Sequence, residues 1–168
     1  MARDPKNARL LGRIGEELAP PLLVRAGFTD IQNLNAKKMN HEDADFLASR
    51  EGHRYFISVK ARNKWTNKGE PDLNPRYKLY SKGRSIQDAL ETARSYQAEY
   101  AWLTIQVDRT TYSAYFGTRT QLLLPGPTGR KLNGKGVMMT DVYTRRYRAL
   151  AEDVPHGYNY DLISNCSG

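Results

Sequence analysis

The stretch 43-DADFLASREGHRYFISVKAR-62 contains two short apolar runs separated by a charged turn. Residues 44–49 and 54–61 are rich in strand-forming residues, and the intervening REGH predicts a hairpin turn between them. Asp45 stands near the start of the first predicted strand, and Lys60 stands near the end of the second. These charges either solubilise the ends of an ordinary hairpin or lie side by side to act on a phosphate.

The segment before the hairpin predicts a helix followed by a strand. Apolar residues at helical spacing indicate a helix from about Pro5 to Ala26, and we expect Pro20 and Pro21 to kink or split it. The predicted core face of this helix consists of Leu10, Leu11, Ile14, Leu18, Leu22 and Val24. The sequence 28-FTDIQNLN-35 then predicts a strand.

The segment after the hairpin predicts another helix, two strands and a last helix. Ser85 is a predicted N-cap, and the core face of its helix consists of Ile86, Ala89, Leu90 and Ala93. The sequences 98-AEYAWLTIQV-107 and 110-TTYSAYFGT-118 predict strands, and 141-DVYTRRYRALAED-153 predicts a helix. This order predicts a single α/β domain over 1–168, with its core at about 5–120 and a C-terminal extension at 121–168.

The composition is that of a folded protein, with 39% hydrophobic and 26% charged residues among 168. No apolar run approaches the roughly 20 residues that a membrane-spanning helix needs, so we expect no membrane association of that kind. Cys166 is the single cysteine, which excludes an intramolecular disulfide and a thiolate zinc site. The start of the sequence lacks the apolar run of a secretory signal, and the expected location is the cytoplasm.

Residues 62–84 are rich in Asn, Lys, Gly and Pro and predict a long exposed loop. The span from Arg50 to Arg84 contains ten Lys or Arg and three acidic residues, in a chain of net charge +8. A solvated basic loop is the simplest interpretation. The loop also contains Trp65, Tyr77 and Tyr80, aromatic residues of the kind that stack on bases, so it favours nucleic acid as the partner. The predicted nucleic-acid-binding residues are Arg62, Lys64, Trp65, Lys68, Arg76 and Lys78.

Three motifs resemble the PD-(D/E)xK nuclease superfamily, and most closely its archaeal-type Holliday junction resolvases. The sequence 12-GRIGEELAPPLLVRAGF-28 has Glu16 eleven residues before Gly27, 43-DADFLA-48 has Asp45, and 57-ISVKAR-62 has Lys60. The resemblance covers roughly residues 8–107. It implies a restriction-endonuclease-like α/β fold, with a central mixed β-sheet flanked by helices and an α-β-β-β-α-β core.

The resemblance also implies an activity, the hydrolysis of phosphodiester bonds in duplex or branched DNA by a metal-dependent endonuclease that acts as a homodimer. Asp45 would be the central ligand of Mg²⁺ or Mn²⁺, with Glu16 and the backbone carbonyl of Val59 as further ligands. Lys60 would orient the attacking water, and Gln87 resembles an auxiliary polar residue of some relatives. No small-molecule cofactor beyond the metal is implied.

Ser58 departs from the family pattern, which has an acidic residue two positions before the lysine. A hydroxyl is a poorer ligand for Mg²⁺ than a carboxylate. Either Glu91, on the helix after Ser85, or Asp43 would then supply the missing carboxylate. Without a substitute, the protein would be a catalytically inactive nucleic-acid-binding protein of the same fold. A third interpretation is an interaction protein whose basic loop binds an acidic partner.

Overall fold

A computed structural model of the chain describes residues 5–36, 43–66, 68–73, 75–79, 83–123 and 136–164. It contains both helices and strands. In chain order they are α1 (Pro5–Arg25), β1 (Thr29–Asn33), a 3₁₀ turn (Leu34–Ala36), β2 (Phe46–Arg50), β3 (His53–Asn63), β4 (Arg76–Lys78), α2 (Ile86–Ser95), β5 (Glu99–Val107), β6 (Thr111–Thr118), α3 (Arg119–Leu123), β7 (Gly136–Met138), α4 (Asp141–Thr144), β8 (Arg148–Pro155) and α5 (Tyr160–Ser164).

The main sheet has six strands in the order β1-β2-β3-β5-β6-β8. Strands β3 and β5 are parallel, and the other neighbours in this sheet are antiparallel. A parallel pair needs a crossover, and α2 lies in the connection between these two strands. The predicted central mixed sheet flanked by helices is therefore confirmed.

The predicted hairpin is formed by β2 and β3, and its turn residues are Glu51 and Gly52. Both have positive φ angles, 50° and 77°, as the two central residues of a type I′ turn require. β3 is an interior strand in the order of the sheet, but its pairing with β2 ends at Ile57. Lys60 therefore pairs with Thr104 of β5 on one side, and its other side faces the residues that precede β2.

Alternate residues of β3 pack on opposite sides of the sheet. Ile57, Val59 and Ala61 belong to the hydrophobic cluster that includes α1. Phe56 belongs to a second cluster on the other side, formed with α2, β4 and β7. The side chain of Ser58 lies on this second side, where the short β4–β7 sheet covers β3.

The first helix differs in detail from its prediction. It continues without interruption through Pro20 and Pro21, so it is not split. Val24, a predicted core residue, is 61% exposed, while Ala19 and Leu23 are buried. None of the described helices is long and apolar enough to cross a membrane.

The predicted exposed loop at 62–84 is wrong in part, since β3 extends to Asn63 and residues 76–78 form β4 against β7. Tyr77 and Leu79 are buried, and Arg76 and Lys78 alternate with them on the exposed side. This polar–apolar alternation is the period of a half-buried strand. Tyr80 and Cys166 lie outside the described residues.

The predicted last helix at 141–153 is also wrong. Only Asp141–Thr144 is helical, and Arg148–Pro155 forms β8 along the open edge of β6. The Ala, Leu, Glu and Arg of this segment are good helix formers, but tertiary contacts override intrinsic propensity, and here pairing with the free edge of β6 outweighs it. The chain after 121 therefore supplies a strand of the main sheet, and Ala151 and Ile163 join its core.

Candidate active site

Asp45 is fixed against β3 by two backbone hydrogen bonds. Its N–H donates to the carbonyl of Ile57 (2.9 Å), and its Oδ2 accepts from the N–H of Val59 (2.7 Å). Because the N–H and C=O of one strand residue point to the same side, the carbonyl of Val59 is also directed toward Asp45. The end of the β2–β3 pairing thus leaves one carboxylate and one backbone carbonyl beside each other.

Glu16 reaches this place because α1 packs closely on β3. A Cβ atom on Gly15 would lie 3.2 Å from the Cβ of Ala61 and 3.3 Å from Cγ1 of Val59, so glycine permits the close approach. The following residue, Glu16, is exposed, and its Oε1 accepts a hydrogen bond from Nδ2 of Asn35 (3.1 Å). The helix therefore brings a second carboxylate to the start of β2.

Asn35 joins the two carboxylates, and it is not among the site residues predicted from the sequence. Its Nδ2 donates to Oε1 of Glu16 and to Oδ1 of Asp45, at 3.1 Å in each case. The antiparallel register pairs Asn33 with Phe46, so residues just after Asn33 lie beside those just before Phe46. The predicted strand at 28–35, paired with the hairpin, was the signal that could have found this residue.

Lys60 is half-buried in β3, within electrostatic range of Asp45. Burial lowers the pKa of its ammonium group below the usual 10.5, and the positive charge of Arg62 lowers it further. The negative charge of Asp45 opposes both effects without cancelling them. The result is a partly desolvated amine that releases a proton more readily than an exposed lysine.

Ser58 has a structural contact of its own. Its side chain is buried, with 1% exposure for the residue, and its Oγ donates to the carbonyl of Leu79 (3.1 Å). This bond ties the end of β4 to β3, on the strand face that also carries Lys60. The hydroxyl therefore serves the packing of β4 rather than pointing freely toward Asp45.

Asp43, predicted as a substitute ligand, lies in a closed ion pair. The residue is 2% exposed, and its carboxylate accepts from Nε (3.1 Å) and Nη2 of Arg84 and from Oγ1 of Thr92 (2.8 Å). The basic segment folds back and supplies Arg84. Both oxygens have cationic or hydroxyl donors, and this argues against a role as a metal ligand.

Glu91 and Gln87 are exposed residues of α2. Within the described residues, no hydrogen bond or ion pair connects either side chain to Asp45 or Lys60. No three His, Cys, Asp or Glu side chains form a metal-binding group in the part of the chain that the structure describes. The carboxylates brought together are thus Glu16 and Asp45, and the acid that Ser58 replaces has no substitute among these side chains.

The predicted nucleic-acid-binding residues fall into two groups. Lys68, Arg76 and Lys78 are exposed. Lys64 and Trp65 instead contact one carboxylate: Nζ of Lys64 lies 3.3 Å from Asp108, and Nε1 of Trp65 donates to it at 2.7 Å. The first group is available to a ligand without breaking a described contact.

Packing also limits the contacts that Trp65, Arg62 and Tyr77 can make with nucleic acid. The guanidinium of Arg109 lies 4.2 Å from the ring centroid of Trp65, so one ring face is covered. Arg62 donates from Nη1 to the carbonyl of Ala61 (2.8 Å). The side chain of Tyr77, on the inner side of β4, is buried and cannot stack on a base in this structure.

No protein-family model matches the chain, and no curated protein matches it. Among solved structures, Hjc, a Holliday junction resolvase from the archaeal hyperthermophile Archaeoglobus fulgidus, is similar with a TM-score of 0.50. The two sequences are 18% identical, and the similarity covers 83% of this chain and 97% of the resolvase. The likeness shows the fold: the chain has the predicted restriction-endonuclease-like architecture.

Proposed function

We propose that this protein is a metal-dependent endonuclease that hydrolyses phosphodiester bonds in DNA. One observation carries the proposal: Glu16 and Asp45, from elements far apart in sequence, share the Nδ2 donor of Asn35 beside Lys60. A restriction-endonuclease-like fold with this arrangement has the acidic and basic groups that phosphodiester hydrolysis needs.

The oxygen donors at this place suit a hard divalent cation. Carboxylate oxygens of Asp45 and Glu16, with the carbonyl of Val59, would hold Mg²⁺ or Mn²⁺, which prefer oxygen ligands and retain several waters. Such a cation, when bound, polarises a phosphoryl oxygen and lowers the pKa of a coordinated water.

Lys60 would act on the attacking water and on the charge that develops at the phosphorus. Its ammonium group is partly desolvated, so its interaction with a phosphoryl oxygen is stronger than that of an exposed lysine. The negative charge of Asp45 acts on this group. With its lowered pKa, the same side chain can also accept a proton from water at a lower pH than an exposed lysine can.

DNA would approach over β4. Ser58 bonds to Leu79 at the end of this strand, so β4 lies against the strand face of Lys60 and carries Arg76 and Lys78 on its exposed side. Cations of this kind neutralise phosphates without reading sequence. Because one site cuts one strand and a duplex has two, we propose a homodimer. A four-way junction is the first substrate to test, because the similar solved structure is a Holliday junction resolvase.

A second function, DNA binding without cleavage, is favoured by Ser58. This residue stands where the family pattern has an acid, and its hydroxyl is occupied by Leu79. The site then carries two carboxylates in place of three, which weakens its attraction for a divalent cation. The basic surface on β4 would be unaffected.

Cleavage of supercoiled plasmid and of a four-way junction, with Mg²⁺, Mn²⁺ or chelator, separates the two functions. Asp45→Asn and Lys60→Ala are compared with Asp30→Asn and Arg94→Ala, which change exposed charges on β1 and α2. A nuclease cuts only with metal, and the first two variants bind DNA but do not cut it. If none of the proteins cuts while all retard DNA equally, the protein is the inactive binder. If DNA is not retarded, both functions fail.

A further inference from the structure

The amide of Asn35 occupies the place between the two candidate metal ligands. Its Nδ2 lies 3.1 Å from Oε1 of Glu16 and 3.1 Å from Oδ1 of Asp45. A cation bound by both carboxylates would have to lie close to this nitrogen. Because an amide nitrogen presents only protons, Nδ2 and a cation cannot occupy this place together.

An asparagine side chain can resolve this conflict with its other end. Rotation of the amide by a half turn exchanges Nδ2 for Oδ1, a group of nearly the same size. The exchange replaces a hydrogen-bond donor with a carbonyl oxygen, and asparagine carbonyls are established ligands of hard divalent cations. The same side chain can therefore bridge the carboxylates without metal and bind the metal with them.

We propose that Asn35 is the third side-chain ligand of the metal site and replaces the acid that Ser58 does not provide. The inference rests on the proposed function, since it assumes that Glu16 and Asp45 bind the cation. It predicts a site with two ligand charges, weaker than one with three carboxylates. It would supply a third side-chain ligand in a described region where no group of three His, Cys, Asp or Glu side chains forms.

The backbone around Asn35 holds this residue in a fixed position. Its own N–H donates to Oδ1 of Asn33 (2.9 Å), and the N–H of Leu34 donates to the carbonyl of Asp45 (2.9 Å). Leu34 is buried in the core cluster that includes β4. The 3₁₀ turn is thus attached directly to the residue it would assist.

Mn²⁺ binding to the full chain, followed by the electron paramagnetic resonance signal of free Mn²⁺, tests the proposal without DNA or cleavage. Asn35→Ala should weaken binding by about 10-fold or more, and Asn35→Asp should strengthen it. Gln32→Ala, which removes an exposed amide from β1, is the control and should bind as the wild type does.

The sign of the Asn35→Ala effect is decisive. If the amide is only a donor that metal must displace, its removal leaves Mn²⁺ binding unchanged or tighter, and the proposal is overturned. Should Asn35→Ala fail to fold by circular dichroism, Asn35→Asp decides, and unchanged or weaker binding overturns it. Asp45→Asn separates this failure from that of the function. If the wild-type protein binds no Mn²⁺, the metal site itself is refuted. If Mn²⁺ binding is lost in Asp45→Asn but not in the Asn35 variants, the metal site stands and Asn35 is not one of its ligands.

Discussion

Asp43 and Asp45 are two residues apart at the start of β2, and they lie in opposite electrostatic environments. The carboxylate of Asp43 is buried and bound by the guanidinium of Arg84 and the hydroxyl of Thr92. The carboxylate of Asp45 has neutral donors, the N–H of Val59 and the amide of Asn35. One aspartate has its charge cancelled by direct contact, and the other keeps its charge at the edge of solvent.

The hydrogen-bond donors that contact each carboxylate distinguish a structural acid from a candidate catalytic acid. A cation in direct contact neutralises Asp43, so that place does not attract a further cation. Neutral donors fix the position of Asp45 without cancelling its negative charge. Glu16 adds a second negative charge nearby, because its carboxylate accepts a hydrogen bond from the same Asn35 amide. Residue type and spacing are nearly identical for the two aspartates, and the contacting donors make the distinction.

The largest expected effect is the contrast between the same substitution at these two positions. Asp45→Asn should lower metal-dependent cleavage by about 10³-fold, or about 4 kcal/mol of transition-state stabilisation, because a ligand charge is lost. Asp43→Asn should leave cleavage per folded molecule nearly unchanged. It should instead lower the free energy of unfolding by about 3 kcal/mol, because Arg84 loses its buried partner.

Urea unfolding and plasmid cleavage, measured on both variants, check this contrast. Asp30→Asn, on the exposed side of β1, is the control for both measurements and should resemble the wild type in each. An Asp43→Asn variant that is stable but inactive would show that Asp43 belongs to the site. An Asp45→Asn variant that still cuts would remove Asp45 from it.

Lys60 provides a second contrast, because burial lowers its pKa whereas the guanidinium of Arg84 stays protonated. In the folded protein the pKa of Lys60 lies below its unfolded value of 10.5. Between the two values the unfolded chain binds more protons, so the free energy of unfolding rises with pH through this window. Below the lowered pKa, the full cost of the buried charge is present.

A methionine at this position cannot titrate. The free energy of unfolding of Lys60→Met should therefore exceed that of the wild type by the largest amount at pH values below the lowered pKa of Lys60. Its advantage over the wild type should shrink as the pH rises toward 10.5. Urea unfolding in chelator, from about pH 7 to about pH 10, measures this difference. The change in stability of Arg84→Met should be constant over the same range. An advantage of Lys60→Met that is independent of pH would contradict the lowered pKa.

Much of the fold was predictable because local and global preferences agree. The hairpin pairs two strand-forming runs across a turn with glycine, and both strands form as predicted. Ser85 caps α2, and Ala89 and Ala93 pack into the core as their spacing predicts. The segment at 148–155 was not predictable in this way, since its place depends on the free edge of β6, more than 30 residues earlier.

The candidate site was predictable only in part, for a related reason. Asp45 and Lys60 belong to one hairpin, so strand pairing alone places them close together. Asn35 becomes visible only when the pairing of β1 with β2 is known. The partner of Asp43 is Arg84, which lies 41 residues away at the end of the basic segment, and no local pattern connects them. Residues that act through long-range contacts need the topology before their roles can be inferred.

Ser58 lies on the same face of β3 as Lys60, and we expect its role to be structural only. Ser58→Ala removes the donor to the carbonyl of Leu79, and we expect a loss of about 1–2 kcal/mol in the free energy of unfolding. Cleavage per folded molecule should change little, because the hydroxyl is not directed at Asp45. Urea unfolding and single-turnover cleavage measure the two effects. A large loss of cleavage with unchanged stability would give Ser58 a role in the chemistry.

The smallest expected effect extends the contrast between neutralised and exposed charges to the proposed DNA-binding surface on β4. Lys78 is exposed on β4, whereas Lys64 lies 3.3 Å from Asp108. A lysine that contacts phosphate adds about one unit to the slope of log K against log salt, so Lys78→Ala should lower that slope by about 1. Lys64→Ala should lower it by less, because its charge is already shared with Asp108. DNA binding at several salt concentrations measures both slopes, and equal changes would mean that DNA breaks the Lys64–Asp108 pair.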